Sequence, residues 1–302
     1  MKAPTILGGT FTFPGTSLTV NRMRYGAMQL AGRDGDKRVW GPPRDIPGAV
    51  AVLRDAVASG VNHIDTSDYY GPHVTNQIIK QALHPYPDDL VIVTKVGARR
   101  GTDGSWLHAR SRQEIIDAVH DNLRNLGLDA LQVVNLRLGG FAAPEDEPFE
   151  EPLSALAELK QQGVVQHIGL STVSPGQFAK ARAITDIVCI QNLYNLAQRG
   201  DDPFIDDLDA RGIAYVPYFP LGGFSPLQSA ALEAAAASVQ ATPMQVALAW
   251  LLHRARNILL IPGTSSVGHL RENLAAARLD LPAETFAELD GIASAVTRTL
   301  GR

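Results

Sequence analysis

Three side chains near the ends of two predicted strands have the types and spacing needed to donate a proton. Asp65 ends one apolar run, Tyr70 follows five residues later, and Lys95 lies near the end of the next run. A free tyrosine has a pKa of about 10, but a neighbouring ammonium group stabilises the phenolate and lowers that pKa. A carboxylate paired with the lysine offsets the cost of burying the ammonium. Tyr70 could then protonate a carbonyl oxygen as hydride reaches the carbonyl carbon. On spacing alone, an ordinary ion pair beside a packed tyrosine fits equally well.

An alternation of strands and helices must position these side chains. Short β-branched apolar runs predict eight buried parallel strands. They cover residues 25–28, 61–65, 90–96, 131–138, 165–170, 187–191, 213–218 and 258–261. Helical spacing separates them, most clearly at 111–126, where Ser111 and Glu114 form a capping box and Gly127 ends the helix. Eight such units predict a (β/α)8 TIM barrel of the α/β class. An open dinucleotide-binding sheet is disfavoured, because the turn after the first strand carries no G-x-G-x-x-G motif.

Further segments decorate the predicted barrel, and residues 1–302 are expected to form a single domain. Residues 11–20 predict an N-terminal β-hairpin, and extra helices are expected near the C-terminus. Two polar loops that follow strands contain Trp40 and Trp106. Loops at this end of a barrel form its active site, so both tryptophans are candidate walls of a substrate pocket. Packing on the barrel rim is an equally good interpretation of each.

Composition and charge exclude several classes of function. Of 302 residues, 45% are hydrophobic and 19% charged, with a net charge of -4, so no basic field for nucleic acid exists. No apolar run reaches the length of a membrane span, and no secretory signal pattern is seen. The single cysteine, Cys189, lies in an apolar run and is expected to be a buried, inert thiol. These features predict a cytoplasmic protein with no membrane partner.

The motifs around these residues resemble those of the aldo-keto reductase family. Residues 62–71 (Asn-His-Ile-Asp-Thr-Ser-Asp-Tyr-Tyr-Gly) resemble its signature, 93–95 its lysine strand and 123–129 its turn into the fourth strand. Residues 261–264, with Glu272-Asn273 further on, resemble its adenosine-phosphate segment. The matches occur in order over nearly the whole chain. The resemblance implies a (β/α)8 barrel that binds NADPH across the carboxyl ends of its strands, with Asp65, Tyr70 and Lys95 in catalytic roles.

The resemblance also implies a set of cofactor residues. Ser171 and Thr172 match the pair that holds the nicotinamide carboxamide, although the family usually has asparagine at the second position, and threonine lacks the amide donor. Gln191 matches the next carboxamide contact, and Tyr218 the ring that stacks on nicotinamide. The other candidate cofactor residues are Gly26, Ala27, Met28, Phe219, Pro220, Leu221, Gly223, Gly263, Thr264, Ser265, Ser266, His269, Arg271, Glu272 and Asn273.

Recognition of the 2′-phosphate is the less defined part of this implied site. Residues 266–277 read as a helix, whose N-terminal amides suit a phosphate. Many relatives have a lysine or arginine early in this segment, where this chain has Gly263 and Ser265. His269 and Arg271 are the nearest cations, and a solvated surface role for Arg271 fits equally well.

One position departs from the family in a way that bears on the substrate. The family's fourth catalytic residue is a histidine at the end of the fourth strand, and Arg137 stands at that position. Arginine stays charged and presents a rigid fork of donors, whereas histidine can be neutral. Our hypothesis is that Arg137 anchors an anionic substrate group and lowers the pKa of Tyr70. The alternative is that Arg137 pairs with an acid such as Glu145 or Asp146.

Within the family, the resemblance is greatest to bacterial NADPH-dependent pyridoxal reductases, at residues 25–30, 41–45, 70–76, 133–137 and 215–224. It implies reduction of an aldehyde to a primary alcohol, with pyridoxal converted to pyridoxine, and a small-molecule carbonyl substrate as the partner. The alternatives are a general aldehyde and ketone reductase, or a non-enzymatic NADPH-binding regulatory subunit. A metal-dependent barrel hydrolase would need clustered ligands at strand ends, and His63 is better explained by packing inside the barrel. No metal site is therefore predicted.

Overall fold

Seven parallel strands form the central sheet of the computed structural model, which describes residues 7–140, 148–223 and 229–292. The sheet strands are β3 (Tyr25–Gly26), β6 (His63–Asp65), β7 (Val91–Val96), β10 (Leu131–Arg137), β11 (Val165–Ser171), β12 (Ile187–Gln191) and β13 (Ala214–Tyr215). Each strand pairs with the next one in this order, so the sheet is built by successive strand–helix units. The α/β class predicted from the sequence is confirmed.

The eighth predicted strand closes the barrel through isolated bridges. Ile258 bridges in parallel to Tyr215, and Leu260 bridges in parallel to Met23, next to the first strand. The prediction of a continuous strand over 258–261 is therefore wrong in detail, because only alternate residues pair, each with a different neighbour. The two bridges nevertheless connect the last sheet strand to the first, as a (β/α)8 barrel requires.

The helices follow the strands in alternation. They are α1 (Ile46–Ala58), α2 (Val74–Leu83), α3 (Arg112–Leu126), α4 (Glu150–Gln161), α5 (Pro175–Ala181), α6 (Asp202–Ala210), α7 (Ala230–Ser238), α8 (Pro243–Arg254), α9 (Val267–Ala275) and α10 (Ala283–Asp290). The predicted capping box of α3 is confirmed: Ser111 and Glu114 each accept from the other's backbone amide, and Gly127 ends the helix with φ 70°. After the last barrel helix, α10 packs against α7, which confirms an extra helix near the C-terminus.

In the described ranges, three antiparallel hairpins lie outside the sheet. They are formed by β1 (Thr10–Thr12) with β2 (Thr19–Asn21), β4 (Arg33–Asp34) with β5 (Lys37–Arg38), and β8 (Ala98–Arg100) with β9 (Trp106–His108). The first is the predicted N-terminal hairpin. The other two lie within the loops that carry Trp40 and Trp106. The predicted strand at 25–28 is shorter than expected, because residues 27–30 turn into a 3-10 helix.

The alternation of side chains along each strand places neighbouring residues in different hydrophobic cores. Ile92 belongs to the larger core between sheet and helices, whereas its neighbours Val91 and Val93 belong to a second core inside the barrel. Phe13, from the N-terminal hairpin, joins the inner core, so the hairpin covers the end where the strands begin. Cys189 is also in the inner core, and burial raises the pKa of its thiol to about 12. The opposite end, where the strands finish, carries the candidate site.

Candidate active site

Asp65, Lys95 and Tyr70 meet at the carboxyl end of the barrel. Asp65 ends β6 and Lys95 lies near the end of β7, the next strand of the sheet. The ammonium of Lys95 lies 2.5 Å from Asp65 Oδ1 and donates to the Thr66 carbonyl at 2.9 Å. Both charged side chains are buried, and Lys95 Nζ is 5.2 Å from the centroid of the Tyr70 ring. The geometry therefore brings the sequence-predicted trio together as a buried ion pair beside a tyrosine.

A buried polar network holds the loop that carries Tyr70. Thr66 donates through Oγ1 to Asn76 Oδ1 at 2.8 Å, and Asn76 lies on α2. Asp68 Oδ1 accepts from the amides of Asn76 at 3.3 Å and Asn125 at 3.0 Å, and Asp68 Oδ2 lies 2.7 Å from His73 Nδ1. The loop after β6 is thus tied to the helices that flank it. Sequence reasoning missed this network, although the run of short polar residues before α2 was a visible signal for it.

The surroundings of Tyr70 disfavour its phenolate. Burial and the Asp65 carboxylate raise the pKa of Tyr70 well above its usual range, and Arg137 partly opposes them. The net direction is therefore upward, although the sequence predicted a lowering by the neighbouring lysine. The Lys95 ammonium donates to Asp65 and Thr66, and no described hydrogen bond joins it to the Tyr70 hydroxyl. Tyr70 consequently keeps its proton at neutral pH.

Arg137 ends β10 at the mouth of the same site. Its guanidinium donates to the Gly140 carbonyl and lies 5.5 Å from the centroid of the Tyr218 ring. Burial lowers the pKa of Arg137, but the oxygens of Tyr69, Tyr218 and Tyr70 raise it, and the net direction is upward. Arg137 is therefore a permanent cation facing three tyrosines.

The alternative partners proposed for Arg137, Glu145 and Asp146, lie outside the described residues. Within the part of the chain that the structure describes, no carboxylate lies within ion-pair distance of the guanidinium. Among these residues the site therefore presents two cations, Lys95 and Arg137, against the one carboxylate of Asp65.

A cavity of about 250 Å³ opens onto these residues. Its lining combines aromatic residues and glycines with a few charged and polar side chains. Besides the trio and Arg137 it is lined by Gly26, Met28, Gln29, Tyr69, Ala98, Trp106, Leu107, His108, Gly139, Gly140, Gln191, Tyr218, Phe219, Pro220, Leu221, Gly223, Ile261, Pro262 and Gly263. Tyr69, His108 and the glycine pair are contributions that sequence reasoning missed, because cavity lining depends on loop paths that no local motif encodes.

The two candidate substrate tryptophans are placed differently. Trp106 lines the cavity, is 46% exposed, and contacts the Tyr69 ring edge-on at 5.5 Å between centroids. Trp40 does not line this cavity. Its ring instead lies between Lys37 Nζ at 4.9 Å and the Arg100 guanidinium at 5.4 Å.

The nicotinamide end of the implied cofactor site fits a carboxamide. Ser171 ends β11 in register with Gln191, which ends β12. The Ser171 hydroxyl is buried and has no hydrogen-bond partner in the described part of the chain, which leaves it free to bind a polar ligand group. Gln191 Nε2 donates to Asp65 Oδ2 at 2.8 Å, and this bond orients its amide next to the ion pair.

Thr172, the departure from the family's asparagine, adopts a left-handed backbone with φ 59°. That conformation is costly for a β-branched residue and is favoured by asparagine, which explains why the amide residue is common at such a position. The Thr172 hydroxyl lies 3.4 Å from the Tyr218 hydroxyl, so the two residues expected to frame the nicotinamide already contact each other.

A second cavity, of about 510 Å³, continues from the first toward α9. Leu221 and Gly223 line both cavities, so the residues after β13 lie between them. The second cavity is also lined by Gln29, Ser229, Leu232, Glu233, Thr242, Pro243, Met244, Ala247, Gly263, Thr264, His269, Glu272 and Asn273. Its glycines are needed for close backbone approach: a Cβ on Gly263 would lie 2.7 Å from the Gly26 carbonyl. An extended dinucleotide would span both cavities.

Of the two candidate cations at this end of the site, His269 lines the second cavity and Arg271 lies on the surface. His269 lines the second cavity, whereas Arg271 forms a two-point ion pair with Asp55, with one contact of 2.8 Å, and its side chain is 68% exposed. Glu272 accepts from the Thr242 hydroxyl at 2.8 Å. Ser266 caps α9 through the His269 amide, as the predicted helix start requires. The structure favours the surface interpretation of Arg271.

Possible metal ligands come together at one place in the described part of the chain. Among the described residues, one group of possible ligands lies within 4.8 Å, formed by Asp68, His73 and Asp121, and the first two are already hydrogen-bonded to each other. His63 is buried inside the barrel, where Arg24 contacts its Nδ1 at 2.5 Å, as the packing interpretation predicts.

None of the described helices is long and apolar enough to cross a membrane.

The amino-acid sequence of the chain is similar to those of known oxidoreductases. Residues 22–294 match the model of the Aldo/keto reductase family. The chain is 64% identical to the pyridoxine 4-dehydrogenase of Escherichia coli (strain K12) over 285 residues, which covers 94% of this chain and 98% of that protein.

Solved structures of similar fold agree with the barrel. The thermostable aldo-keto reductase Tm1743, crystallised with the inhibitor epalrestat, is 28% identical, with a TM-score of 0.78 over 94% of this chain and 99% of that one. An aldo/keto reductase from Klebsiella pneumoniae, in complex with NADP and acetate, is 24% identical, with a TM-score of 0.75 over 93% and 94% of the two chains.

Proposed function

The chain belongs to the aldo/keto reductase family, and we propose that it reduces pyridoxal to pyridoxine with NADPH. The observation that carries this proposal is the site itself: a buried tyrosine beside a buried lysine–aspartate pair, in a cavity that shares lining residues with a second one. The substrate is inferred from the 64% identity to the Escherichia coli pyridoxine 4-dehydrogenase and from the cation at Arg137.

The residues of the chain have separate tasks in this reaction. NADPH, when bound, supplies the hydride that reaches the carbonyl carbon. Tyr70 donates its hydroxyl proton to the carbonyl oxygen, so that the aldehyde becomes a primary alcohol. Arg137 stabilises the tyrosinate left behind, since it is the described cation that lowers the pKa of Tyr70. Lys95 stays fixed by Asp65 below the Tyr70 ring.

The cofactor would lie along residues that already suit it. The unpartnered Ser171 hydroxyl and the Gln191 amide would hold the carboxamide, and Tyr218 would offer its ring to the nicotinamide. Gly26 and Gly263 line the first cavity, and the absence of a side chain at each lets their backbones pack closely where the phosphates would pass. The N-terminus of α9 and His269 would meet the 2′-phosphate.

Arg137 gives the site a preference among aldehydes. Pyridoxal carries a hydroxyl next to its aldehyde, and that hydroxyl ionises readily. An ionised oxygen there would neutralise the excess positive charge that Lys95 and Arg137 leave after Asp65. A charge-assisted hydrogen bond of this kind contributes roughly 1.5–3 kcal/mol, or about ten- to a hundred-fold in affinity.

A pair of model substrates tests this preference. 2-Hydroxybenzaldehyde and benzaldehyde differ only in the hydroxyl next to the aldehyde. We expect the wild type to favour the hydroxylated compound in kcat/KM, and Arg137→His to lose about ten-fold or more of that preference, while the Kd of NADPH stays unchanged. Arg99→Met, an exposed arginine paired with Glu114, is the matched control. An equal effect of Arg137→His on both aldehydes would show that Arg137 does not anchor the hydroxyl.

A non-enzymatic NADPH-binding subunit is the competing function. Such a protein would need the cofactor residues but not a proton donor. The buried and fully assembled arrangement of Asp65, Lys95 and Tyr70 supports the reductase, because burying an ion pair beside a phenol costs free energy that mere cofactor binding does not require.

A further inference from the structure

Arg100 joins the β4–β5 and β8–β9 hairpins, the second of which lines the cavity. It lies at the end of β8, and its guanidinium donates to the carbonyls of Val39 at 2.8 Å, Arg38 at 3.0 Å and Gly104 at 2.7 Å. Two of these acceptors belong to the β4–β5 region and the third to the turn of the β8–β9 hairpin. One side chain thereby fixes two loops that are far apart in sequence.

The same guanidinium fixes the position of a cavity wall. Its central carbon lies 4.1 Å from the centroid of the Trp106 ring, within cation–π distance. Trp106 is in turn in edge contact with Tyr69, and Tyr69 contacts Tyr70 edge-on at 5.3 Å. A chain of aromatic contacts therefore runs from the exposed hairpin to the proton donor, and Arg100 lies at its outer end.

The described ring contacts of Trp106 are the Arg100 guanidinium and the edge of Tyr69. The Trp106 side chain is 46% exposed and stands on a three-residue strand. A tryptophan with so little burial has several rotamers of similar free energy, and ordering it has an entropic cost. Arg100 offsets that entropic cost by stacking on the Trp106 ring. The hydrogen bond from its guanidinium to the Val39 carbonyl holds the stacked pair next to β4–β5.

We propose that Arg100 is a positioning residue that sets the specificity for aromatic carbonyl substrates, by holding Trp106 as a wall of the cavity. The proposal rests on the proposed reductase function for its substrate and goes beyond it by assigning a role to a residue outside the cavity. A flat ring entering beside Trp106 and Tyr69 gains stacking contacts, whereas a short aliphatic aldehyde does not use this wall.

The side chain of arginine is required for this task. Its planar fork reaches three carbonyls and presents a flat face to the indole at the same time, which the single ammonium of lysine cannot do. Arg100→Lys should therefore behave like Arg100→Met, although it keeps the charge.

Kinetics with two aldehydes tests the proposal. For Arg100→Met and Arg100→Lys we expect the KM of benzaldehyde to rise about ten-fold, with kcat, the KM of propanal and the Kd of NADPH changed less than about two-fold. Trp106→Ala should show the same pattern, and Arg100→Met combined with Trp106→Ala should show no further loss, because both changes remove one wall. Arg99→Met is the control on the same strand. Equal effects on the two aldehydes, or effects of the two substitutions that multiply, would overturn the proposal.

A measurement without turnover separates this inference from the proposed function. Trp106 fluorescence is obtained as the difference between proteins with and without Trp106→Phe. In Arg100→Met we expect that difference spectrum to shift to longer wavelength and its quenching by acrylamide to increase. An unchanged spectrum and unchanged quenching would show that Arg100 does not position Trp106, even if the wild type reduced neither aldehyde.

Discussion

At the scale of single residues, the protonation of Tyr70 decides the chemistry. Burial and Asp65 raise its pKa, so the hydroxyl keeps its proton until a reacting carbonyl oxygen needs it. Arg137 opposes this shift and is placed to stabilise the phenolate once the proton has left. Arg137 is therefore a second cation beside the tyrosine, in addition to the lysine of the local motif.

Removing the Tyr70 hydroxyl should separate binding from turnover. In Tyr70→Phe we expect kcat for aldehyde reduction to fall about 10²- to 10⁴-fold, the usual contribution of a positioned proton donor. The Kd of NADPH, measured by fluorescence titration, should change little, because the cofactor residues are elsewhere. Retained turnover in Tyr70→Phe would show that another group donates the proton.

The sequence predicted these residues unevenly, for a physical reason. Asp65, Tyr70 and Lys95 occupy fixed positions relative to strand ends, so their spacing along the chain indicates their meeting in space. Tyr69 and Arg100 act through contacts between separate loops, and no local pattern encodes such contacts. The surface pairing of Arg271 depends on Asp55, more than two hundred residues earlier, and only the structure could show it.

At the scale of elements, the loop between β6 and α2 is the part that must be held still. His73 begins α2 in a left-handed conformation with φ 65° and lies 2.7 Å from Asp68. Its hydrogen bond to Asp68 raises the pKa of His73 above the usual 6.5, while burial opposes this. The pKa of the folded state is thus above that of the unfolded state. The stabilisation is therefore fully present below about pH 6.5 and is lost as the pH rises through the folded-state value.

This loop should give the protein a pH-dependent stability. We expect His73→Gln to lower Tm by about 1–3 °C below pH 6.5 and by less at mildly alkaline pH. The effect is small because the His73 side chain is half exposed, so solvent screens its interaction with Asp68. His253→Gln, an exposed histidine that contacts the Leu279 carbonyl, is the control. A Tm difference that grows as the pH rises would contradict the assigned sign.

Elements with local signals were predicted better than those defined by pairing. Helix α3 carries its capping box and its terminal glycine in the sequence, and its bounds agree with the prediction. The eighth strand has no such signals, and its two ends pair with different strands, so it forms bridges only. The predicted strand at 213–218 is reduced to Ala214–Tyr215 for the same reason.

At the scale of the whole molecule, barrel closure depends on the contact between the first and last strands. Arg22, just before the first sheet strand, donates to the carbonyls of Leu252 at 2.7 Å, Ala255 at 2.5 Å, Ile258 at 3.1 Å and Gly8 at 3.3 Å. Three of these acceptors lie where the chain leaves α8 and enters its last strand, and Gly8 lies just before β1. The Arg22 guanidinium therefore links the segment before the first sheet strand to the segment that closes the barrel.

Removing the hydrogen bonds of Arg22 should lower the stability of the fold without affecting the reaction. We expect Arg22→Met to lower the free energy of unfolding by about 2–4 kcal/mol, because buried carbonyls lose charged hydrogen bonds. Urea unfolding measures this, and kcat and the Kd of NADPH should stay near the wild-type values. Arg211→Met, which removes an exposed pair with Asp207, should cost less than about 1 kcal/mol. A similar small effect for Arg22→Met would show that closure depends on the bridges alone.

The central claim is that this barrel transfers hydride from NADPH to pyridoxal. The most direct measurement uses NADPH with deuterium at the transferred position of its dihydronicotinamide ring, together with pyridoxal, and analyses the product by mass spectrometry. We predict pyridoxine carrying one deuterium on the new alcohol carbon, formed in equal amount to the NADPH consumed. Binding of NADPH with no alcohol formed, from pyridoxal or from benzaldehyde, would contradict the claim and favour a regulatory subunit.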